Sequence, residues 1–154
     1  MGGNTWDIWK GWMMEWNCEL QIYAFSVILI AASIIDIRTR TVPDIIHILI
    51  LMAGLPGIHP VRSVTGFIVV PLPFLAAAFL KPGSIGGGDI KLMAACGFFM
   101  GAVGGIQAMM AGLMLAVLIQ GILLCRRKEP FALVPYLTIG CMVVIVMDIW
   151  RKIT

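Results

Sequence analysis

Charged residues are scarce in this chain: only 12% of its 154 residues are Asp, Glu, Lys or Arg, whereas 60% are hydrophobic and the mean hydropathy is +1.00. A water-soluble domain usually carries about twice that fraction of charged residues. The composition therefore excludes an ordinary soluble enzyme and predicts a protein that lives in a lipid bilayer. The eleven Lys and Arg residues are dispersed over short connections, so we expect no nucleic-acid-binding patch.

Metal-binding and disulfide patterns are also missing. The four cysteines, Cys18, Cys96, Cys125 and Cys141, include no CxxC pair. Three of them lie in or beside apolar segments, where thiols usually act as small hydrophobic side chains. We therefore expect no disulfide framework, no zinc site and no cofactor.

Long hydrophobic runs dominate what is present. A helix that crosses a bilayer needs roughly 20 apolar residues, and the candidate segments are 20–35, 45–55, 64–80, 90–103, 104–125 and 131–149. The second and fourth are short, so we expect them to extend into their flanks, to tilt, or to lie beside a water-filled notch. The predicted fold class is all-α, a polytopic membrane helix bundle of about six transmembrane helices.

Four tryptophans precede the first of these segments. Trp6, Trp9, Trp12 and Trp16 are spaced by three, three and four residues, which places their rings on one side of a helix. Indole rings favour the headgroup zone of a membrane. We predict that residues 1–19 form an interfacial segment ahead of a membrane-embedded domain over residues 20–154. A ligand-binding aromatic cage is the less favoured alternative.

Two local patterns concern how the helices pack. Pro71 and Pro73 in the third segment lack the amide hydrogens that a regular helix uses, so we expect a kink there. The fifth segment carries small residues at helical spacing, which lets another helix approach closely in lipid. These residues are Gly105, Ala108, Gly112 and Ala116.

The cations predict how the bundle is oriented. The two connections richest in Lys and Arg, residues 35–44 and 126–130, should lie on the cytoplasmic side. With the N-terminus outside, seven cations fall inside and four outside. We predict an N-out, C-out bundle in the plasma membrane, with Asp36 and Asp89 at its cytoplasmic edge.

Asp36 and Asp89 are the leading candidates for chemistry, because ionisable groups at membrane depth are costly. Asp36 follows an apolar run of about 16 residues, or about 24 Å of helix, which is shorter than the roughly 30 Å hydrocarbon core. Asp89 follows three glycines, which let another chain approach closely, and it opens the fourth segment. Two facing carboxyls suggest acid–base chemistry, in which one activates water while the other, protonated, polarises a carbonyl.

Each candidate also has a structural alternative. Asp36 could mark a helix end and pair with Arg38 or Arg40, and Asp89 could be an ordinary N-terminal cap. Asp44 and His47 stand three residues apart and could share a face as a metal or proton site. Two ligands fall short of the three or four that a metal usually needs.

The residues around both aspartates resemble the type IV prepilin peptidases, membrane aspartyl proteases with a glycine-x-glycine-aspartate motif. Residues 36–38 with Val42-Pro43 are similar to the first catalytic segment of that family, and residues 86–92 are similar to the second. Residues 129–137 resemble the start of its last helix. The resemblance implies a catalytic dyad of Asp36 and Asp89 without a metal. It also implies motif or substrate-approach positions at Gly86, Gly88, Lys91, Arg38 and Pro43.

The resemblance further implies a function. The expected activity is that of an aspartic endopeptidase that removes the short basic leader from prepilin-like precursors, such as type IV pilins, Tad pilins or pseudopilins. Its expected partners are the precursor peptide and membrane lipid. Because no paired CxxC motifs are present, the chain resembles the short form that lacks the N-methyltransferase domain. The alternative is a non-catalytic transporter or pilus-assembly scaffold that uses both aspartates to bind ions or a partner.

Overall fold

The computed structural model describes residues 5–56, 59–80, 85–123 and 132–154. Within these ranges all regular structure is helical: α1 (Thr5–Thr39), α2 (Asp44–Gly54), α3 (Pro60–Val69), α4 (Leu72–Leu80), α5 (Gly87–Leu123) and α6 (Val134–Ile153). The predicted all-α class is therefore confirmed for the described part of the chain. The side chains of the predicted tryptophan anchor, like residues 1–4, lie outside what the structure describes.

Four helical stretches of the described chain are long and apolar enough to cross a membrane: Glu19–Thr39, Pro60–Leu80, Gly87–Ile119 and Val134–Arg151. The protein is thus a multi-pass helical membrane protein. Helix α2 has 11 residues and is too short to be counted as a membrane-spanning helix by length. The predicted number of about six spans is therefore not confirmed.

The second of these stretches is broken between α3 and α4, at Val70 and Pro71. Pro71 has no amide hydrogen, so the regular helical hydrogen bond at this position cannot form. The next turn is regular again, because the Leu75 amide donates to the Pro71 carbonyl over 2.9 Å. The break lies where the two prolines predict a kink.

Helix α5 reverses direction at Gly101. This residue has φ 80° and ψ 174°, a conformation open essentially to glycine alone. Along a straight helix the α-carbons of Gly97 and Gly105 would be about 12 Å apart. Instead, the α-carbon of Gly97 lies 3.2 Å from where a β-carbon on Gly105 would stand. Residues 87–100 and 102–123 therefore fold back on each other, close to the predicted boundary between the fourth and fifth segments.

Small residues set the closest helix contacts. A β-carbon on Gly66 of α3 would collide with the backbone of Gly97 in α5. In the second half of α5, a β-carbon on Gly112 would lie 2.9 Å from the α-carbon of Leu137 in α6. The predicted small-residue strip of the fifth segment thus packs against α6, whereas its first member, Gly105, meets Val70 beside α3.

The helices enclose a common apolar interior. Helix α5 packs against α2, α3 and α6, while α1 packs against α2 and α6. Buried side chains fill this interior in two clusters, one with Phe25, Leu29, Ile50 and Leu92 and the other with Leu137. Of the four cysteines, the side chains of Cys96 and Cys141 are described, and both are buried free thiols.

Candidate active site

Asp36 lies in the last turn of α1 and is only 5% exposed. The helix ends just beyond it, because Arg40 takes up a left-handed conformation with φ 55°. The Arg40 amide then donates to the Asp36 carbonyl over 2.8 Å, a common way to close a helix C-terminus. A carboxylate here faces the negative end of its own helix dipole, so its burial calls for a donor from elsewhere.

That donor comes from the start of α6. The amide of Val134 donates to Oδ2 of Asp36 over 3.2 Å. Val134 is the first residue of its helix, where amide hydrogens have no partner within the helix. One turn deeper, the Ser33 hydroxyl donates to the Thr138 hydroxyl over 2.8 Å. Helix α6 is therefore tied to α1 at two levels, and its positive end faces Asp36.

Asp89 lies in the first turn of α5 and is half-buried. Its amide donates to the Gly86 carbonyl over 3.1 Å. Its carboxyl lies over the same glycine, since a β-carbon on Gly86 would be 3.3 Å from Oδ2 of Asp89. Asp89 thus faces the positive end of α5, as expected for an acidic side chain at a helix N-terminus.

The structure brings these two predicted residues together. The carboxyl groups of Asp36 and Asp89 are close enough to repel each other when both are ionised. Each faces the N-terminal end of a helix, α6 for Asp36 and α5 for Asp89. Two close carboxyls at such a place can share one proton, and a pair in that state can act as acid and base together.

The glycine segment also contacts the first motif. A β-carbon on Gly88 would lie 3.5 Å from Cβ of Val42, at ordinary contact distance. Pro43 follows in an extended conformation, with φ −66° and ψ 142°, and caps the start of α2. The two predicted motifs therefore meet at Gly88. Gly86, Pro43 and Arg38 are exposed.

Asp44 and Lys91 form an ion pair between α2 and α5. Nζ of Lys91 lies 2.8 Å from Oδ1 of Asp44, and both side chains are mostly exposed. Nδ1 of His47 is 3.7 Å from the same oxygen. Asp44 and His47 thus do share a face, as the spacing predicts. Among the described residues, however, no cluster of three or more His, Cys, Asp or Glu side chains could hold a metal.

Sequence reasoning missed the contacts that two residues make within this site. Val134 contributes a backbone amide, which leaves no signal in the sequence except that a helix begins there. His47 is buried and contacts the Gly88 carbonyl; the available signal was a single imidazole in an otherwise apolar helix. In the weakest of the three resembling segments, Glu129, Pro130 and Phe131 lie outside the described residues.

A helical bundle with four apolar stretches, a buried Asp36 and a half-buried Asp89 near it defines a multi-pass membrane protein with a candidate acid–base site. The model of the type IV leader peptidase family matches residues 23–125, about two thirds of the chain, and the chain belongs to that family. It is thus a membrane protein of a protease family, and the predicted family is confirmed. The match includes Asp36 and Asp89 and ends before Val134. Comparisons with individual curated proteins and with solved structures gave no match.

Proposed function

We propose that this protein is an aspartic endopeptidase that cuts the short basic leader from prepilin-like precursors at the cytoplasmic face of the plasma membrane. The observation that carries the proposal is the meeting of Asp36 and Asp89 at the ends of separate helices. Both residues lie in the part of the chain that matches a family of leader peptidases.

The proposed reaction needs only this pair of carboxyls and water. The ionised carboxyl takes a proton from the water molecule as its oxygen attacks the scissile carbonyl carbon. The protonated carboxyl donates its hydrogen to the carbonyl oxygen, which carries the developing charge. When the tetrahedral intermediate collapses, the C–N bond breaks and the leaving nitrogen takes the proton of the protonated carboxyl. A hydroxyl of the intermediate gives its proton to the ionised carboxyl as the carbonyl reforms, which restores the starting state of the pair.

Six crossings of the membrane are part of the proposal. Asp36, Asp89 and Val134 lie near one another, so α1 ends on the face where α5 and α6 begin. Because α5 folds back at Gly101, residues 102–123 return towards that face. The guanidinium of Arg62, near the start of α3, donates to the Met100 carbonyl beside the reversal, which supports a start for α3 on the opposite face. Helix α2 then supplies the remaining crossing.

The cytoplasmic placement of the site follows from charge. The connection that begins next to Asp36 carries Arg38 and Arg40, and cations concentrate on the cytoplasmic side of membrane proteins. Lys91 lies at the same end of the bundle, as its ion pair with Asp44 requires. Arg62 lies at the opposite end. This orientation agrees with a substrate whose basic leader stays in the cytoplasm.

The start of α5 supports the approach of a peptide. Gly86 and Gly87 are exposed, and a β-carbon on Gly87 would meet no atom of the described residues within 4 Å. An extended backbone could therefore come close to Asp89 without displacing a side chain. We infer that the precursor lies along this glycine segment, with its scissile bond between the two carboxyls.

Cleavage by the purified protein in detergent tests the proposal. The substrate is a precursor with a basic leader followed by an apolar helix, and mass spectrometry of the products locates the cut. We expect a single cut just before the apolar helix. Asp36→Asn and Asp89→Asn should each abolish it while the protein still accumulates in the membrane. Asp44→Asn is the matched control, because it neutralises a third, exposed carboxyl at the same end of the bundle.

Substantial cleavage by either dyad variant would overturn the assignment of the two aspartates. Equal loss in Asp44→Asn would instead favour a site that includes Asp44 and His47. If well-folded wild-type protein cuts no precursor of this kind, the proposed substrate class is wrong.

A further inference from the structure

His47 is a buried polar residue that the proposed chemistry does not use. It lies in the second turn of α2 and is only 7% exposed, among side chains that are nearly all apolar. Burying an imidazole costs free energy unless its nitrogens find hydrogen-bond partners. The one hydrogen-bond partner that His47 has in the described part of the chain indicates why a histidine is buried here.

Nε2 of His47 lies 3.1 Å from the carbonyl oxygen of Gly88. A carbonyl oxygen only accepts hydrogen bonds, so Nε2 must carry the hydrogen and donate it. The Gly88 carbonyl belongs to the peptide group that leads directly into Asp89. A bond to this carbonyl restricts rotation of that peptide plane, and with it the direction in which the Asp89 side chain leaves the backbone.

The other imidazole nitrogen has no such partner. Nδ1 is buried and makes no hydrogen bond within the described residues. Its nearest acidic oxygen, Oδ1 of Asp44, is 3.7 Å away, too far for a direct hydrogen bond. That oxygen is already held by the Lys91 ammonium, whose positive charge also disfavours a metal cation between Asp44 and His47.

An unsatisfied buried nitrogen destabilises the protein, so an apolar side chain would suit this place in α2 better if stability alone mattered. The contact at Nε2 is what an apolar residue cannot supply. This contact joins α2 to α5 directly before Asp89, whereas the Asp44–Lys91 ion pair after it is mostly exposed and contributes little.

We infer that His47 is a positioning residue for Asp89, acting through the Gly88 carbonyl; the inference rests on the proposed function of the dyad. His47 does not touch the reacting atoms. It fixes the peptide group that carries Asp89, so that the carboxyl points towards Asp36 and the substrate.

Two amide substitutions separate this role from simple packing. The side-chain nitrogen of glutamine can reach the position of Nε2, whereas that of asparagine reaches only the position of Nδ1. His47→Gln should keep kcat/KM within a few-fold of the wild type. His47→Asn should lower it about a hundredfold, the size of effect expected when a catalytic group is misplaced. The loss should fall on kcat, with KM little changed.

His59 provides the matched control, because it is the only other histidine and is exposed at the start of α3. His59→Asn should change neither kcat nor KM. A second readout does not need substrate: a hydrophobic carbodiimide labels accessible carboxyls, and peptide mapping gives the labelling rate at Asp89. We expect this rate to change in His47→Asn and to stay at the wild-type value in His47→Gln.

The inference would be overturned if His47→Asn kept the kcat/KM of the wild type and its labelling rate at Asp89. Equal losses in both amide variants with equal falls in melting temperature would also overturn it, because His47 would then serve packing alone. These outcomes can be distinguished from a failure of the proposed function. If the proposed function is wrong, the wild type does not cleave the precursor, or Asp89→Asn still cleaves it. In that case the labelling rates still decide whether His47 orients Asp89.

Discussion

The carboxyl of Asp36 and the amide of Val134 are joined by a 3.2 Å hydrogen bond between the end of α1 and the start of α6. The bond gives a buried carboxyl a backbone donor and gives a helix N-terminus an acceptor. It also means that Asp36 has two separable roles. One is to hold α6 in place, and the other is the proposed acid–base chemistry.

Substitutions of different chemistry should separate these roles. Asparagine retains a side-chain oxygen that can accept from the Val134 amide, so Asp36→Asn should melt close to the wild type yet be inactive. Alanine leaves that buried amide without its acceptor, at a cost of about 1–3 kcal/mol. Asp36→Ala should therefore be inactive and also melt at a lower temperature. Equal melting temperatures for the two variants would show that the bond to Val134 contributes little to stability.

The three glycines before Asp89 allow a graded test of substrate approach. None of them has a positive φ, and a β-carbon on Gly88 would only contact Val42 at 3.5 Å. Gly88→Ala should therefore fold normally, because alanine also favours a helix over glycine. That methyl group would face Val42, so it should obstruct substrate less than a methyl group on Gly87, and activity and melting temperature are measured together for each variant.

The neighbouring glycines complete that series. Gly87→Ala adds a methyl group that would meet no described residue within 4 Å, so it should have the smallest effect on folding. If substrate passes along this segment, the same variant should lose most cleavage. Gly86→Ala places its β-carbon 3.3 Å from Oδ2 of Asp89, so it should shift that carboxyl slightly and reduce activity. Full activity in all three variants would contradict a substrate path along this segment. A large fall in the melting temperature of Gly88→Ala would make Gly88 a folding residue instead.

The reversal at Gly101 should depend on glycine. Alanine there would be strained at φ 80°, and its β-carbon would come within 2.6 Å of Nε of Arg62. We expect Gly101→Ala to lower the melting temperature in detergent strongly or to prevent accumulation. Gly104→Ala is the control, because its β-carbon would meet only the Met100 side chain, at 3.3 Å. Similar melting temperatures for both variants would contradict a fold that requires the reversal.

Chelation tests the absence of a metal from the mechanism. Since the proposed chemistry uses two carboxyls and water, cleavage should be unchanged after incubation with EDTA and dialysis. The same rate is expected when zinc is added back. Loss of activity on chelation that zinc restores would show that a metal centre carries the reaction.

Much of the site could be predicted from the sequence because its signals are local. The run of apolar residues that ends at Asp36 and the glycines that precede Asp89 are each visible within one continuous stretch of the sequence. The same holds for the break at Pro71, which follows from the missing amide hydrogen. These features depend on backbone chemistry and on hydrophobic length, and neither requires knowledge of distant contacts.

The remaining features depend on tertiary contacts. The bond from Val134 to Asp36 joins residues that are 98 positions apart and uses a backbone amide, which any residue except proline supplies. The contact of His47 with Gly88 needs α2 and α5 to lie side by side. Apolar length alone counts α5 as one stretch, whereas the predicted boundary between the fourth and fifth segments lies close to Gly101, where the chain reverses.

The central claim is that Asp36 and Asp89 act as one catalytic unit. The most direct measurement is the single-turnover rate of precursor cleavage by the wild type, Asp36→Asn, Asp89→Asn and the double variant. We predict that each single variant loses about a thousandfold or more, in the range of general acid–base catalysis. The double variant should lose no more, because residues that act as a unit are not additive. Substantial cleavage by either single variant, or losses that multiply in the double variant, would contradict the claim.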